Sequence, residues 1–241
     1  MTEHGEVTAV VIMDHFPAQC DVYLGQPHWL RGLDAGLLDS SEQARARGYL
    51  LADARDRFLF GALLLRTAAG HHLGVRPADV PVDRTCQWCE SQHGRPVLAG
   101  TGLHASVSHS GGVVAVAITR AGPVGVDVEA GRAIDVSAVA DSVCTTAERA
   151  SVTGLGDFYA YWTRKEAILK ATGDGLRRPM TDLSITPPGS APVLLALGSD
   201  AAPACQMADI SAGDGYHAAV AVLTARPVVF GTHDASTLLA S

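Results

Sequence analysis

From Val124 to Glu129 the chain reads Val-Gly-Val-Asp-Val-Glu. Strand side chains alternate between two faces, so Val124, Val126 and Val128 form an apolar face and Asp127 and Glu129 project together from the other. The valine face has to be covered by a second layer, and this constrains the fold more than any other segment does. The acidic face has two readings. Two convergent carboxylates suit a hard cation such as magnesium, which commonly uses one or two carboxylates together with substrate phosphates. The structural alternative is the polar outer face of a half-buried strand.

The pattern extends upstream. Leu103 to Ser108 and Val113 to Thr119 read as strands joined at Ser110-Gly111-Gly112, and Ala121-Gly122-Pro123 turns the chain into the acidic strand, which predicts a three-stranded meander. Phe158 to about Ala171 predicts the strongest helix, capped by Asp157 and stopped by Gly173. An earlier helix is predicted from an N-cap at Ser40 or Ser41 to about Arg66, with Leu51, Ala54, Phe58, Ala62 and Leu65 facing the core. Arg45, Arg47, Arg55, Arg57 and Arg66 would then lie on or beside its exposed faces. Residues 67–101 are rich in Gly, Pro, His and Asp and read mainly as loop. Beyond Pro187-Pro188 the pattern is of short strands, ending in Tyr216 to Thr224 and a frayed tail. Ala115-Val-Ala-Ile-Thr-Arg120 is echoed from Ala219 to Arg226, which suggests two halves with a related strand plan.

With 241 residues, 47% of them apolar and 18% charged, the chain can bury a sizeable core in one large domain or two small ones. Eighteen Lys and Arg against 25 Asp and Glu give a net charge of −7, which argues against a general nucleic-acid binder. The apolar run Val10 to Met13 is too short to cross a membrane and follows acids rather than a basic segment, so a cytoplasmic protein is expected. Five cysteines (Cys20, Cys86, Cys89, Cys144 and Cys205) are expected to stay reduced. Cys86 and Cys89 form a C-x-x-C with His93 behind it, but no second C-x-x-C or H-x-x-x-H completes a four-ligand zinc site, so a loop with two ordinary thiols is expected.

On the later helix, Trp162, Glu166 and Lys170 fall at i, i+4 and i+8 and share one stripe, with Lys165 beside them. A surface Glu–Lys pair, worth about 0.2–0.5 kcal/mol, is the ordinary explanation, and it does not account for Trp162. Ser108-His109-Ser110 puts a histidine at a strand end, where hydroxyls and backbone N–H groups can gather around an anion. A G-x-S-x-G elbow, H-E-x-x-H, a P-loop and a complete G-x-G-x-x-G are all absent.

The order Gly94-Arg95-Pro96, Ser108-His109-Ser110, Gly125 to Glu129, then Trp162 to Lys170 resembles the Sfp-type 4′-phosphopantetheinyl transferases. The resemblance is strongest over G-[IV]-D-[IV]-E and W-x-x-K-E-x-x-x-K and extends over about four-fifths of the chain. It implies a pseudo-twofold α+β architecture, each half a small antiparallel sheet packed with helices. Residues 1–122 would be the phosphate-binding half, with the Arg-rich helix and the Ser-His turn, and residues 123–241 the metal-binding and catalytic half. Coenzyme A and magnesium would lie between them. Asp127, Glu129 and Glu166 would hold Mg2+ with the pyrophosphate of coenzyme A, which Lys165 and Lys170 would also bind. Ser108 and His109 would meet its phosphates, and Arg45 and Arg57 its 3′-phosphate.

Two departures from that pattern stand out. Glu42 removes one expected positive charge, and Arg95 replaces a lysine, keeping the charge but as a planar fork. The implied reaction is attack of a carrier-protein serine on the β-phosphorus, with 3′,5′-ADP leaving. Asp127, Glu166 and Lys170 would be the catalytic residues. Glu166 would be the general base, directly or through a metal-bound water, and Lys170 would stabilise the leaving phosphate. The partners would be apo acyl, polyketide or peptidyl carriers, met by a monomer through a surface near Arg177, Arg178 and Met180. Two other readings are a magnesium-dependent hydrolase of nucleotides or of the coenzyme A pyrophosphate, and a carrier that itself receives the arm at Asp39-Ser40 or Asp141-Ser142.

Overall fold

The computed structural model describes residues 16–30, 34–86, 88–89, 91–199 and 201–239. The apolar run Val10 to Met13 and the strand-like stretch around it lie outside the described residues. The elements, in order, are β1 (Ala18–Gly25), α1 (Ser40–Arg47), α2 (Ala52–Leu73), β2 (His104–Ser110), β3 (Val113–Thr119) and β4 (Val124–Ala130). Then come α3 (Val136–Val143), α4 (Thr146–Arg149), α5 (Leu155–Thr172), β5 (Leu183–Ile185), β6 (Leu194–Leu197), β7 (Cys205–Asp209), β8 (Tyr216–Leu223), β9 (Val228–Asp234) and α6 (Ala235–Leu239).

Two sheets carry the fold, in strand orders β2-β3-β1-β9 and β4-β8-β7, with β5 and β6 as a separate pair. Period-2 alternation sorts their side chains into four layers. Val114, Val116 and Ile118 of β3 pack with Phe60, Leu64 and Leu65 of α2. Ala115 and Ala117, from the other face of the same strand, meet Val124, Val126 and Val128 of β4 and Val220 and Val222 of β8. Ala219 and Ala221, on the far face of β8, pack with Ile168 and Leu169 of α5. The order is therefore α2, first sheet, second sheet, α5, an α+β arrangement of small sheets packed with helices. Phe60 and Phe158 are 0% and 1% exposed, each worth about 1.5–3 kcal/mol of burial. The two echoed sequences become β3 and β8, each an interior strand of its sheet.

Four expectations about elements change, the first being that α5 begins at Leu155 with Gly154, not Asp157, at its N-cap. The meander does not form: β2 and β3 are a hairpin, but β4 pairs antiparallel with β8, so Ala121-Gly122-Pro123 carries the chain from one sheet to the other. The early helix is two helices broken at Gly48. Asp39, not Ser40, caps the first, accepting from the N–H groups of Ser41 and Glu42 while Glu42 returns to the Asp39 N–H, a capping box worth about 1 kcal/mol. The tail is not frayed. β9 pairs parallel with β1, and Ala235 and Leu238 of α6 join the α2 core, so the last residues complete the sheet of residues 1–122. No helix among the described residues is long and apolar enough to cross a membrane.

Candidate active site

Valine packing fixes β4 with Asp127 and Glu129 turned toward α5. Gly125 makes the close approach possible, because a Cβ there would run into the Ala167 carbonyl and come 2.6 Å from the Ala171 nitrogen. The glycine of the acidic motif is thus a packing requirement: it lets α5 lie against the strand and brings Lys170 to Asp127.

β2 and β4 are edge strands of different sheets, and a row of serines joins them. Ser106, Ser108 and Ser110 share the face of β2 that looks at β4. Their hydroxyls accept from the N–H groups of Val126, Val128 and Ala130 at 3.1, 3.4 and 3.1 Å. Edge donors that would otherwise be unpaired are satisfied by side chains. Two of these hydroxyls then donate onward, Ser108 Oγ to Asp127 Oδ1 at 2.8 Å and Ser110 Oγ to Glu129 Oε2 at 2.7 Å. The carboxylates are thus aimed by a strand of the other sheet.

Lys170 Nζ lies 2.6 Å from Asp127 Oδ1 and also donates to Ser108 Oγ and the Val126 carbonyl, at 2.9 and 3.1 Å. Asp127 Oδ2 is buried with no hydrogen-bond partner. Glu166, only 9% exposed, has no hydrogen bond to its carboxylate among the described residues. Burial, and then the charges of Asp127 and Glu129, push the Glu166 carboxyl above the ordinary glutamate range, against the pull of Lys170. Glu129 is also raised, chiefly by burial, with the Asp127 charge adding and the Ser110 hydrogen bond opposing. Crowded, incompletely satisfied carboxylate oxygens fit a hard divalent cation. Ligand atoms all within 4.8 Å of one another are found among the described residues at Cys86, Cys89 and His93, and the three cleft carboxylates are not such a group. In their place Lys170 supplies the positive charge on Asp127.

A cationic rim adjoins this cluster. Crowding by the protein, with Arg57, Lys170 and Arg45 nearby, pushes His109 below the ordinary histidine range. Arg45 donates to the Gln92 carbonyl at 3.2 Å, and its guanidinium lies 4.7 Å from the centre of the Phe58 ring. Arg95 donates to the Ala171 carbonyl at 3.3 Å, at the end of the helix bearing Lys170. Ser108, His109, Arg45, Arg57, Asp127, Glu129, Glu166 and Lys170 are thus in one neighbourhood, with Arg95 at the end of α5.

Lys165 is not part of it. Its ammonium is 0% exposed, paired with Glu148 Oε2 at 2.5 Å, and donates to the carbonyls of Val143 and Met180. At about 100° per residue Lys165 is 100° round the helix from Glu166, whereas Lys170 is only about 40° away, so the two lysines face different layers. The expectation that Lys165 binds pyrophosphate is therefore corrected: it is a buried structural cation. Trp162 packs against Phe158 in the α5 core, its indole N–H buried without a partner. Arg66, expected near an exposed face, is buried in ion pairs with Glu42 and Asp39, both at 2.7 Å. Glu42 is thereby a structural anion. Met180 is also buried, at 5% exposure, and presents no apolar docking surface. Ser110 and Glu148 were missed. The i, i+2, i+4 spacing of Ser106, Ser108 and Ser110 was a readable signal for the first, but nothing local marks Glu148 as the partner of Lys165.

A family model described as the 4′-phosphopantetheinyl transferase superfamily matches residues 123–221, which include both the β4 carboxylates and α5. The chain is 32% identical over 200 residues to the 4′-phosphopantetheinyl transferase HetI of a Nostoc species, covering 78% of this chain and 79% of that protein. It is 32% identical over 170 residues to the L-aminoadipate-semialdehyde dehydrogenase-phosphopantetheinyl transferase of Schizosaccharomyces pombe, covering 62% and 64%. A 4′-phosphopantetheinyl transferase of Bacillus subtilis is 24% identical over 155 residues, covering 61% and 66%. With the acidic strand, the lysine-bearing helix and these likenesses together, the chain belongs to the 4′-phosphopantetheinyl transferase superfamily.

Proposed function

We propose that this chain, as an Sfp-type enzyme, transfers the 4′-phosphopantetheine arm of coenzyme A to a serine of an apo carrier protein, requires magnesium, and releases 3′,5′-ADP. The observation that carries the reading is the juxtaposition of Glu166, which has no hydrogen-bond partner among the described residues, with Asp127, whose Oδ2 is a buried orphan, beside Lys170. Family membership supports the group transferred.

Asp127, Glu129 and Glu166 are the residues that would hold magnesium, which when bound would offset the charge of the coenzyme A pyrophosphate. Arg45, Arg57 and His109, whose charges act on one another, suit the phosphates of an anionic substrate, with Arg95 a further cation nearby. The carrier serine oxygen bonds to the β-phosphorus as the bond from that phosphorus to the bridging oxygen of ADP breaks. The serine proton passes to Glu166, directly or through a water, since that carboxylate has no hydrogen-bond partner among the described residues. Lys170, already hydrogen-bonded at Asp127 and Ser108, is placed to neutralise charge on the leaving phosphate. Ser108 and Ser110 orient the acids.

We read the protein as a cytoplasmic monomer, in keeping with its odd number of scattered cysteines. The test is intact-mass spectrometry of apo acyl, peptidyl and polyketide carriers incubated with this protein, coenzyme A and magnesium. Gain of one phosphopantetheine mass, abolished by EDTA, is the expected result. No gain on any carrier, or an unchanged gain in EDTA, would overturn the reading or its metal requirement respectively.

A further inference from the structure

The described residues between Asp83 and Val97 form a closed knuckle. Its ends pair at Asp83 and Val97, and within it the Cys86 and His93 N–H groups both donate to the Ser91 carbonyl, at 2.8 and 2.9 Å. The Gly94 N–H donates to the Arg84 carbonyl at 2.7 Å, an approach so tight that a Cβ on Gly94 would come 2.8 Å from the Thr85 carbonyl oxygen. This folding overrides sequence separation and places Cys86 Sγ, Cys89 Sγ and a His93 ring nitrogen all within 4.8 Å of one another. Cys89 Sγ and His93 Nε2 are 2.9 Å apart.

Zinc–sulfur and zinc–nitrogen bonds of about 2.3 and 2.0–2.1 Å put neighbouring ligands of a tetrahedral ion about 3.5–3.8 Å apart. Small side-chain adjustments therefore convert this cluster into three corners of a tetrahedron. The sequence lacked a fourth protein ligand, but Cys89 and His93 are solvent-exposed, and three protein ligands with an open position is an established zinc arrangement.

We propose that Cys86, Cys89 and His93 bind one zinc-class divalent ion, with water or an incoming ligand in the fourth position. The ion fixes a loop with anchors on both halves of the molecule. The Gln92 carbonyl receives Arg45 of α1, the Arg177 guanidinium lies 3.4 Å from the centre of the Trp88 ring, and Arg95 reaches the end of α5. Metal binding here does not require the proposed transfer reaction, and the soft thiolate ligands separate the site from the carboxylates of β4 and α5.

The test is titration of the reduced, metal-free full-length protein with cobalt(II), read by absorption. One equivalent should give near-ultraviolet sulfur-to-cobalt charge-transfer bands and visible bands of a tetrahedral ion, displaced by zinc. Asp127→Asn should leave these bands intact, which distinguishes the knuckle from the cleft. Cys89→Ser and His93→Gln, both at exposed positions, should weaken or abolish them while the circular dichroism spectrum stays unchanged. Hydrogen exchange within residues 83–97 should slow on zinc addition in the wild type and not in Cys89→Ser. Absence of thiolate bands in the reduced wild type, or identical bands in both variants, overturns the proposal.

Discussion

Ser108 Oγ donates to Asp127 Oδ1 at 2.8 Å while accepting from Lys170 Nζ at 2.9 Å, so one hydroxyl of the first sheet orients an acid on β4 and an ammonium on α5. Ser108→Ala should therefore slow transfer while leaving the fold intact. Losing a hydrogen bond to a charged group costs about 1.5–3 kcal/mol, a rate loss of roughly ten- to a hundred-fold. Ser110→Ala, which loosens only Glu129, should fall at the mild end of that range. Steady-state transfer assays with a thermal melt of each variant check both.

Asp127→Ala and Glu166→Ala should come close to abolishing transfer. Removal of a general base, here Glu166, typically costs about 10²–10⁴-fold, while Asp127→Ala removes a metal ligand and leaves Lys170 without its carboxylate. His109→Ala should only weaken transfer. Retention of more than about half the wild-type rate by Asp127→Ala, where at least a charged hydrogen bond is lost, would remove Asp127 from the metal site.

The two lysines of the W-x-x-K-E-x-x-x-K helix should separate cleanly. Lys165→Ala strands Glu148 inside the protein and should destabilise the fold by about 3–5 kcal/mol, seen in denaturant unfolding. Lys170→Ala, at a side chain 28% exposed whose partner Asp127 keeps the Ser108 hydrogen bond, should cost less stability than Lys165→Ala and lose activity. The reverse pattern would reinstate Lys165 at the pyrophosphate.

The raised carboxyls give magnesium a pH dependence of definite sign. Glu129 and Glu166 titrate above their ordinary 4.5 in the folded chain, so the metal-free protein binds more protons there than the unfolded chain does. Their contribution to stability is fully present below 4.5 and is lost as pH rises through the folded values. A cation replaces the lost protons. The rise in Tm on adding magnesium should be larger at about pH 7.5 than at about pH 5, where protons compete for the same oxygens. Differential scanning calorimetry at the two pH values, with calcium as a second cation, measures it.

Much of the site was legible from residues alone, because it rests on local periodicity. The two-residue repeat of β4 decides that Asp127 and Glu129 share a face, and the helical repeat of α5 decides that Glu166 and Lys170 share another. Those periods follow from backbone geometry and hold whatever packs against them. Gly173 as a helix stop is equally local, since only its left-handed φ of +83° is required.

The tertiary structure alone decided which layers these faces meet. Strand alternation at β2, β3 and β4 is the same whether the three strands form one meander or end two different sheets, and only the pairing of β4 with β8 selects the second. Burial of Lys165 and Arg66 depended on Glu148 and on Asp39 and Glu42, anions 17 to 27 residues away in sequence, whose proximity no local pattern encodes. The knuckle around Cys86 is the same case: its spacing looked incomplete, and only the turn at Ser91 gathered the three ligands. The sequence by itself determined the chemistry available on each strand and helix, through repeats set by the backbone. Non-local packing, where apolar faces must be covered and buried charges paired, determined which of those residues meet.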